Sequence, residues 1–197
     1  MNTWDQRFKQ QEYVYGTEAN EFIREQASRF PTGSTIAAYA EGEGRNAVYV
    51  ASLGHNVTAY DYAQSGLDKT EALAKAQNVQ VQTKLVDLIE QPLLTERYDG
   101  AFMVFGHFPK EKQYAVLDNI MASLKPGGIF MFEVYEDQQL AYGTGGPKDV
   151  DWLYNGRDVL AWAQPFNLVH FFIGETTRHE GQLHTGKCYV VQVVVEK

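Results

Sequence analysis

Residues 36–46, Ile-Ala-Ala-Tyr-Ala-Glu-Gly-Glu-Gly-Arg-Asn, constrain this chain more than any other stretch. A short apolar run ends in Glu41-Gly42-Glu43-Gly44, and Ala47, Val48, Val50, Ala51 and Leu53 follow at helical spacing. That order is a strand, a glycine turn and the start of a helix. Glycine has no Cβ and tolerates positive φ, so a ligand can lie against bare backbone at such a turn. The helix beyond it offers unpaired N–H groups at its first turn. A tight turn that holds nothing needs the same residues, so the turn by itself assigns no role.

The alternation continues along the chain. Strands are predicted at 35–40, 56–60, 79–86, 98–105 and 128–135, with helices at 45–53, 65–77 and 110–124 between them. The strands read as continuous apolar runs, such as Ala-Phe-Met-Val-Phe at 101–105, which is the pattern of a parallel sheet covered on both faces. This predicts an α/β, doubly wound, Rossmann-like sheet. The connection over 87–97 is too short and irregular to predict a full helix. Further on, a helix is predicted at 151–163. Strands at 167–176 and 186–195 then flank the polar connection 177–185 and pair as an antiparallel hairpin closing one side of the sheet. Before the sheet, Trp4, Phe8, Tyr13 and Tyr15 crowd an N-terminal arm that should dock on the domain, and a helix around Phe22, Ile23 and Ala27 ends at Phe30-Pro31-Thr32-Gly33. A single domain is expected over 1–197: arm and helix at 1–30, a binding core at 35–135, and a loop, helix and hairpin at 136–197.

Charge narrows the partner. The chain carries a formal net charge of −8, with no basic cluster, which disfavours nucleic acid and anionic membranes and favours a small-molecule substrate. One cysteine, Cys188, excludes an intramolecular disulfide and fits a reducing compartment. No apolar run approaches the roughly 20 residues that span a bilayer, and the first residues lack the apolar core of a secretion signal. A cytoplasmic chain, monomer or homodimer, is expected.

In an open α/β sheet, ligands bind beyond the carboxyl ends of the strands where strand order reverses. Three features fall at such ends: the glycine turn, Asp61 closing Val57-Thr-Ala-Tyr-Asp, and Asp87-Leu88. A carboxylate at Asp61 suits the two hydroxyls of a ribose. Glu41 and Glu43 in the turn would repel a pyrophosphate and suit a ligand carrying positive charge.

In this order Glu-Gly-Glu-Gly-Arg-Asn-Ala-Val-Tyr, Val-Thr-Ala-Tyr-Asp, Val-Asp-Leu and Leu124-Lys-Pro-Gly-Gly128 resemble the class I S-adenosylmethionine-dependent methyltransferases. Trp4-Asp5-x-Arg7-Phe8 and Tyr13-Val-Tyr-Gly16 are similar to the arm of the small single-domain branch related to tellurite-resistance and thiopurine-type enzymes. The resemblance implies a mostly parallel seven-stranded sheet with helices on both faces, S-adenosylmethionine as cofactor, and methyl transfer to a small acceptor such as a soft sulfur, selenium or tellurium nucleophile. It places Ala40, Glu41, Gly42, Gly44 and Asn46 along the methionine part of the cofactor. Asp61 falls at the ribose, Tyr62, Asp87 and Leu88 at the adenine, and Phe105 under the sulfonium. Tyr15 and Gly16 would close over the site. The family usually has an acid four residues before Gly42, where this chain has Ala38, and Glu41 is expected to compensate.

For a polar residue on the acceptor side, His107 in Phe105-Gly106-His107-Phe108-Pro109 is the candidate base, with Tyr15 beside it. The loop 142–147 is a candidate pocket wall. His179, Glu180 and His184 lack a convincing third metal ligand, and no metal site is predicted. His170 on an apolar strand reads as structural. Two other readings remain open. Gly42-x-Gly44-x-x-Ala47 with Asp61 fits an NAD(P)-dependent oxidoreductase, though no Tyr-x-x-x-Lys pair accompanies it. A catalytically inactive S-adenosylmethionine-binding module would accommodate Ala38.

Overall fold

Period-two alternation sorts the first strand, β1 (Thr35–Tyr39), between two cores. Ile36 and Ala38 join Phe22, Ile23, Phe30, Ala47 and Val50 on one face, while Ala37 and Tyr39 join Val116, Leu117, Ile120 and Tyr154 on the other. Helices therefore cover both sides of the strand, which is why Ile36, Ala37 and Ala38 in its middle are all apolar. The computed structural model describes residues 3–181 and 184–197. The other strands are β2 (Asn56–Asp61), β3 (Val81–Leu85), β4 (Tyr98–Val104), β5 (Leu124–Tyr135), β6 (Asn167–Glu180) and β7 (His184–Glu196). They form one seven-stranded sheet in the order β3-β2-β1-β4-β5-β7-β6.

Pairing is parallel from β3 through β5 and antiparallel at β5–β7 and β6–β7. The chain leaves β1 toward β2 on one side and later returns to place β4 on the other. Strand order thus reverses between β1 and β4, and their carboxyl ends, Tyr39 and Val104, open a crevice there.

The helices are α1 (Thr3–Phe8), α2 (Glu21–Gln26), α3 (Arg45–Ser52), α4 (Gln64–Ala76), α5 (Lys110–Ser123) and α6 (Gly156–Ala163). Asn20 caps α2 by accepting from the Ile23 N–H at 3.1 Å, and Asn155 caps α6 in the same manner. The predicted helix over 151–163 is divided. A 3-10 turn (Val150–Trp152) comes first, and α6 begins only at Gly156, because Leu153–Asn155 is drawn inward by the Tyr154 N–H bond to the Tyr135 carbonyl.

The largest departure from the sequence reading is the hairpin. The predicted connection over 177–185 is mostly strand: Thr176 pairs with Cys188, and the register runs on to Glu180 opposite His184. Its polar character comes from side chains buried in ion pairs: Arg178 and Glu180 are 3% and 9% exposed. Gln182 and Leu183 of that connection, and Met1 and Asn2 of the arm, lie outside the described residues. The arm docks as expected. Asp5 accepts from the Ser65 N–H at 3.0 Å, Tyr13 donates to the Lys69 carbonyl, and Phe8 is buried.

Candidate active site

Two residues at the crevice hold a backbone conformation that side chains rarely adopt. Ala40, just past β1, has φ of 50°, and Phe105, just past β4, has φ of 55°. Each such residue stores about 1–3 kcal/mol of strain, and strain of this kind gathers at ligand sites. Both line a cavity of about 830 Å³, within the size range of small-molecule sites.

The floor begins at the glycine turn. Gly42 has φ of 64° and its N–H donates to Asp61 Oδ2 at 2.8 Å. Asp61 Oδ1 accepts from the Ala63 N–H at 2.9 Å. The carboxylate is thus held at the end of β2 by two backbone amides, with lone pairs on both oxygens left for a ligand's hydroxyls. Burial pushes the Asp61 carboxyl up to about 6, against the pull of those amides. Tyr62, Asp87 and Leu88 continue the wall; Asp87 Oδ1 accepts from the Ile89 N–H at 2.9 Å, which fixes the turn after β3.

Glu41 and Glu43 are both buried, and protein donors hold them. Oε1 of Glu41 accepts from the N–H groups of Asn46 at 3.0 Å and Ala47 at 2.7 Å, the second and third residues of α3. Burial pushes its carboxyl up to about 8, opposed by Ala47, Arg45 and Asn46. Glu43 Oε1 pairs with Lys69 at 2.6 Å, and its Oε2 accepts from the Val14 N–H at 2.9 Å. Glu43 is therefore a latch for the arm, its charge answered by lysine. Asn46 accepts from the Asn20 N–H at 2.8 Å and reaches the cavity wall beside Glu41.

Gly44 lies behind the wall. It caps α3 with φ of 90°, and a Cβ there would fall 2.7 Å from the Thr70 Cα, so the glycine allows α3 and α4 to approach. Ala38 is fully buried between α2 and α3, where an acid would face an apolar core.

The far end of the cavity is aromatic. Phe105 stacks on Tyr135 with ring centroids 4.4 Å apart, and Tyr15 of the arm lies 4.5 Å from His184. Arg7 donates to the Tyr15 hydroxyl at 3.1 Å while covering Trp4. Gly143–Pro147 and Trp152 form the outer wall, anchored by Gln139, which donates to Thr144 Oγ1 and to the Gly145 carbonyl, both at 3.2 Å.

His107 lines the cavity as expected, and its hydrogen bonds restrict it. Its Nδ1 lies 2.9 Å from the Trp152 carbonyl, which only accepts, so Nδ1 carries the hydrogen. Nε2 faces the Tyr135 N–H at 3.5 Å. Burial lowers its pKa to about 4, so the ring is neutral and weakly basic. Such a ring suits a strut between the loop after β4 and the outer wall better than a base. His184 and Tyr135 were missed as site residues, because the sequence reading put His184 in a surface connection. Counting back by twos from buried Cys188 places His184 on the same strand face, and that was the available signal. Among the described residues no three His, Cys, Asp or Glu side chains gather to hold a metal ion.

Comparison with known proteins agrees with this geometry. Residues 36–128 match the model of a family described as a methyltransferase domain. The probable S-adenosyl-L-methionine-dependent methyltransferase TehB of Haemophilus influenzae is 27% identical over 89 residues, 44% of this chain and 31% of that protein. The chain thus spans about a third of the length of the curated relatives it matches. The crystal structure of H. influenzae TehB superposes with a TM-score of 0.77 over 92% of this chain and 63% of that one, at 15% identity. A structure reported for the conversion of a disulfide bond into a thioacetal group during echinomycin biosynthesis superposes at 0.75 over 96% of this chain and 85% of that one, also at 15% identity. A methyltransferase from Aquifex aeolicus covers 98% of this chain and 97% of its own at 0.66, with 14% identity. The sheet order with its antiparallel closing hairpin, the cavity at the β1–β4 reversal and the match over residues 36–128 agree: that stretch is similar to a methyltransferase domain, and the fold is the one seen in solved S-adenosylmethionine-dependent methyltransferases.

Proposed function

We propose that the protein transfers a methyl group from S-adenosylmethionine to a small-molecule acceptor in the cytoplasm, as a monomer or homodimer. The observation that carries the reading is the crevice itself. A strained Ala40, an open Gly42 and the amide-held Asp61 carboxylate sit side by side at the strand-order reversal. The residues fit the cofactor. Asp61 would accept the ribose hydroxyls, Tyr62, Asp87 and Leu88 would flank the adenine, and Ala40 to Gly42 would present backbone to the methionine part, with Asn46 alongside. Gly44 supports this set from behind the wall.

When bound, the cofactor supplies an activated methyl group on its sulfonium. The chain's own residues then align the acceptor and exclude water. Phe105 would wall the sulfonium side. Tyr15, held by Arg7, would close the site from the arm, and His107 would hold the outer wall in place. The net charge of −8 supports a small molecule over a nucleic acid as partner. Among the described residues no helix is long and apolar enough to cross a membrane, and Cys188 is buried and free.

Calorimetric titration with S-adenosylmethionine, S-adenosylhomocysteine and NADH tests the reading. Binding of both sulfur nucleosides and not NADH is the expected result. Binding of NADH alone would overturn it and make Asp61 a dinucleotide ribose ligand.

A further inference from the structure

Most charges that line the cavity are answered within the protein. Glu43 pairs with Lys69 and Arg45 with Glu180, each at 2.6 Å. Glu41 is held by the first turn of α3, and Asp61 and Asp87 stand past the ends of β2 and β3 as the polar part of the nucleoside end. The two charged side chains that remain in the lining are Arg7 of α1 and Lys148 of the loop after β5. Both are cations, and among the described residues neither meets a carboxylate. The chain as a whole has 25 acids against 17 lysines and arginines, so composition alone would not leave a cavity wall with unanswered positive charge.

Printed contacts bring these cations to one end. Arg7 is half-buried; its Nη1 donates to the Tyr15 hydroxyl at 3.1 Å and its guanidinium lies 4.5 Å from the Trp4 ring centroid. The rest of its N–H fork has no protein acceptor among the described residues. The Tyr15 ring in turn lies 4.5 Å from His184, which meets Phe105 at 4.4 Å. The loop reaches the same histidine from its other neighbours. A Cβ on Gly146 would fall 2.6 Å from the Tyr135 ring, and one on Gly186, two residues past His184, would fall 2.9 Å from Thr144 Cγ2. Gly143, Gly145 and Gly146 turn the loop with φ of 65°, 139° and 77°. Among the described residues the N–H groups of Gly143, Thr144, Gly145, Gly146 and Lys148 find no acceptor. Successive free amides in a glycine turn favour an anion, as a cation beside them does.

We infer that the acceptor carries an anionic group, a carboxylate or a phosphate monoester, apart from the atom that is methylated, and that Arg7 is the residue that selects it, assisted by Lys148 and the loop amides. This inference rests on the methyl-transfer reading above. A guanidinium presents a planar fork that matches two oxygens of such a group, and a half-buried cation without a counter-charge gains more from an anion than from a neutral ligand. The local field agrees. Burial first, then Arg45, His107, Arg178 and Arg7, holds His184 well below the usual histidine range, so the charges that act on this end of the cavity are positive. The competing occupant is the carboxylate of the cofactor itself. Arg7 connects through Tyr15 to His184 and the β7 end, away from the amide-held Asp61, which favours the acceptor.

The test is an NMR titration with benzoate, its neutral isostere benzamide, and phenyl phosphate, each with and without saturating S-adenosylhomocysteine. Benzoate should bind at least about 10-fold more tightly than benzamide, the scale of a hydrogen bond to a charged group, and added salt should shrink the preference. Phenyl phosphate binding above benzoate assigns a phosphate monoester, and the reverse order a carboxylate. Benzoate should still bind once S-adenosylhomocysteine is in place, as an acceptor must. In Arg7→Met the preference should fall to about twofold or less, and Arg7→Lys should keep part of it. A merely structural Arg7 would loosen the arm, weaken benzoate and benzamide alike and leave their ratio intact, which would overturn the inference. Equal binding of the two by wild type, or no binding of any probe at millimolar concentration, would do the same. So would displacement of benzoate by S-adenosylhomocysteine, together with a loss in Arg7→Met that is larger for S-adenosylhomocysteine than for 5′-methylthioadenosine, which lacks the carboxylate; Arg7 would then serve the cofactor. If wild type fails to bind S-adenosylhomocysteine, the methyl-transfer reading falls, and the probe ratio without it still decides whether the cavity selects anions.

Discussion

Replacing Glu41 separates its two candidate roles, holding a ligand's charge and holding the helix behind the glycine turn. The cap residue of α3 is Gly44, which has no side chain to offer, and Glu41 accepts from the second and third N–H groups of the helix in its place. Glu41→Ala leaves both amides buried without a partner, at about 1–3 kcal/mol each. Water from the adjoining cavity recovers part of that, so the net loss is about 2–4 kcal/mol. For a chain of this length a kcal/mol shifts Tm by about 2–4 °C, which predicts a fall of about 5–15 °C by differential scanning calorimetry.

Glu41→Gln keeps an oxygen in the same place. The folded carboxyl is mostly protonated at neutral pH, so both side chains are neutral there and make the same two hydrogen bonds, and below pH 4.5, where the unfolded acid is protonated too, the variant should stay within about 1 kcal/mol of wild type. The pH dependence has a definite sign. The folded carboxyl titrates at about 8, above its ordinary value of 4.5, so the folded state binds the proton more tightly. Wild type is favoured below 4.5 and loses stability as pH rises through 8, at about 1.4 kcal/mol per pH unit across that window. Glu41→Gln should lack this decline and overtake wild type as pH rises from 4.5 toward 8. If Ala melts with wild type, or Gln is as unstable as Ala, Glu41 is not the cap, and a ligand contact becomes its main role.

Other perturbations follow from the same geometry. Asp61 titrates at about 6 in the folded protein because of burial, so S-adenosylhomocysteine affinity should weaken as pH falls from 7 to 5, with protons released on binding in that range; a flat calorimetric profile would contradict the ribose role. Arg178→Met leaves Glu133, which is fully buried, without its cation and should lower stability by about 3–5 kcal/mol in urea melts, whereas Glu133→Gln with Arg178→Met together should recover part of that. Gly44→Ala should cost at least about 2 kcal/mol, from positive φ and the Thr70 clash combined, although Gly44 does not line the cavity.

The sheet was legible because parallel strands buried on both faces leave continuous apolar runs, and the glycine turn, Asp61 and Asp87-Leu88 fell at strand ends that topology then brought together. The hairpin extension was not legible. Arg178 and Glu180 read as surface residues in sequence, and only the pairing of distant charges lets them be buried. The same limit applies to Glu41 and Glu43. Sequence placed two carboxylates in the turn correctly but assigned them to a ligand. Their partners are backbone amides of α3 and the arm, and a lysine one element away.

That pairing of distant charges gives the site its unity. Asn20, the cap of α2, donates to both Glu133 of β5 at 2.9 Å and Glu180 of β6 at 3.0 Å. Arg45, at the start of α3, donates to Glu180 at 2.6 Å, and Arg178 joins Glu133. The segment after the arm, the helix behind the glycine turn, β5 and the hairpin are thereby tied by an amide and charged groups with almost no access to water. Breaking one pair strands a charge, so these elements hold their relative positions more rigidly than apolar packing would require. Glu180 closes the register opposite His184, so the network that steadies the glycine turn also sets where this cavity-lining histidine stands. A substitution at Glu133 or Arg178, neither of which lines the cavity, should therefore disturb both the glycine-turn end and the His184 end of it together.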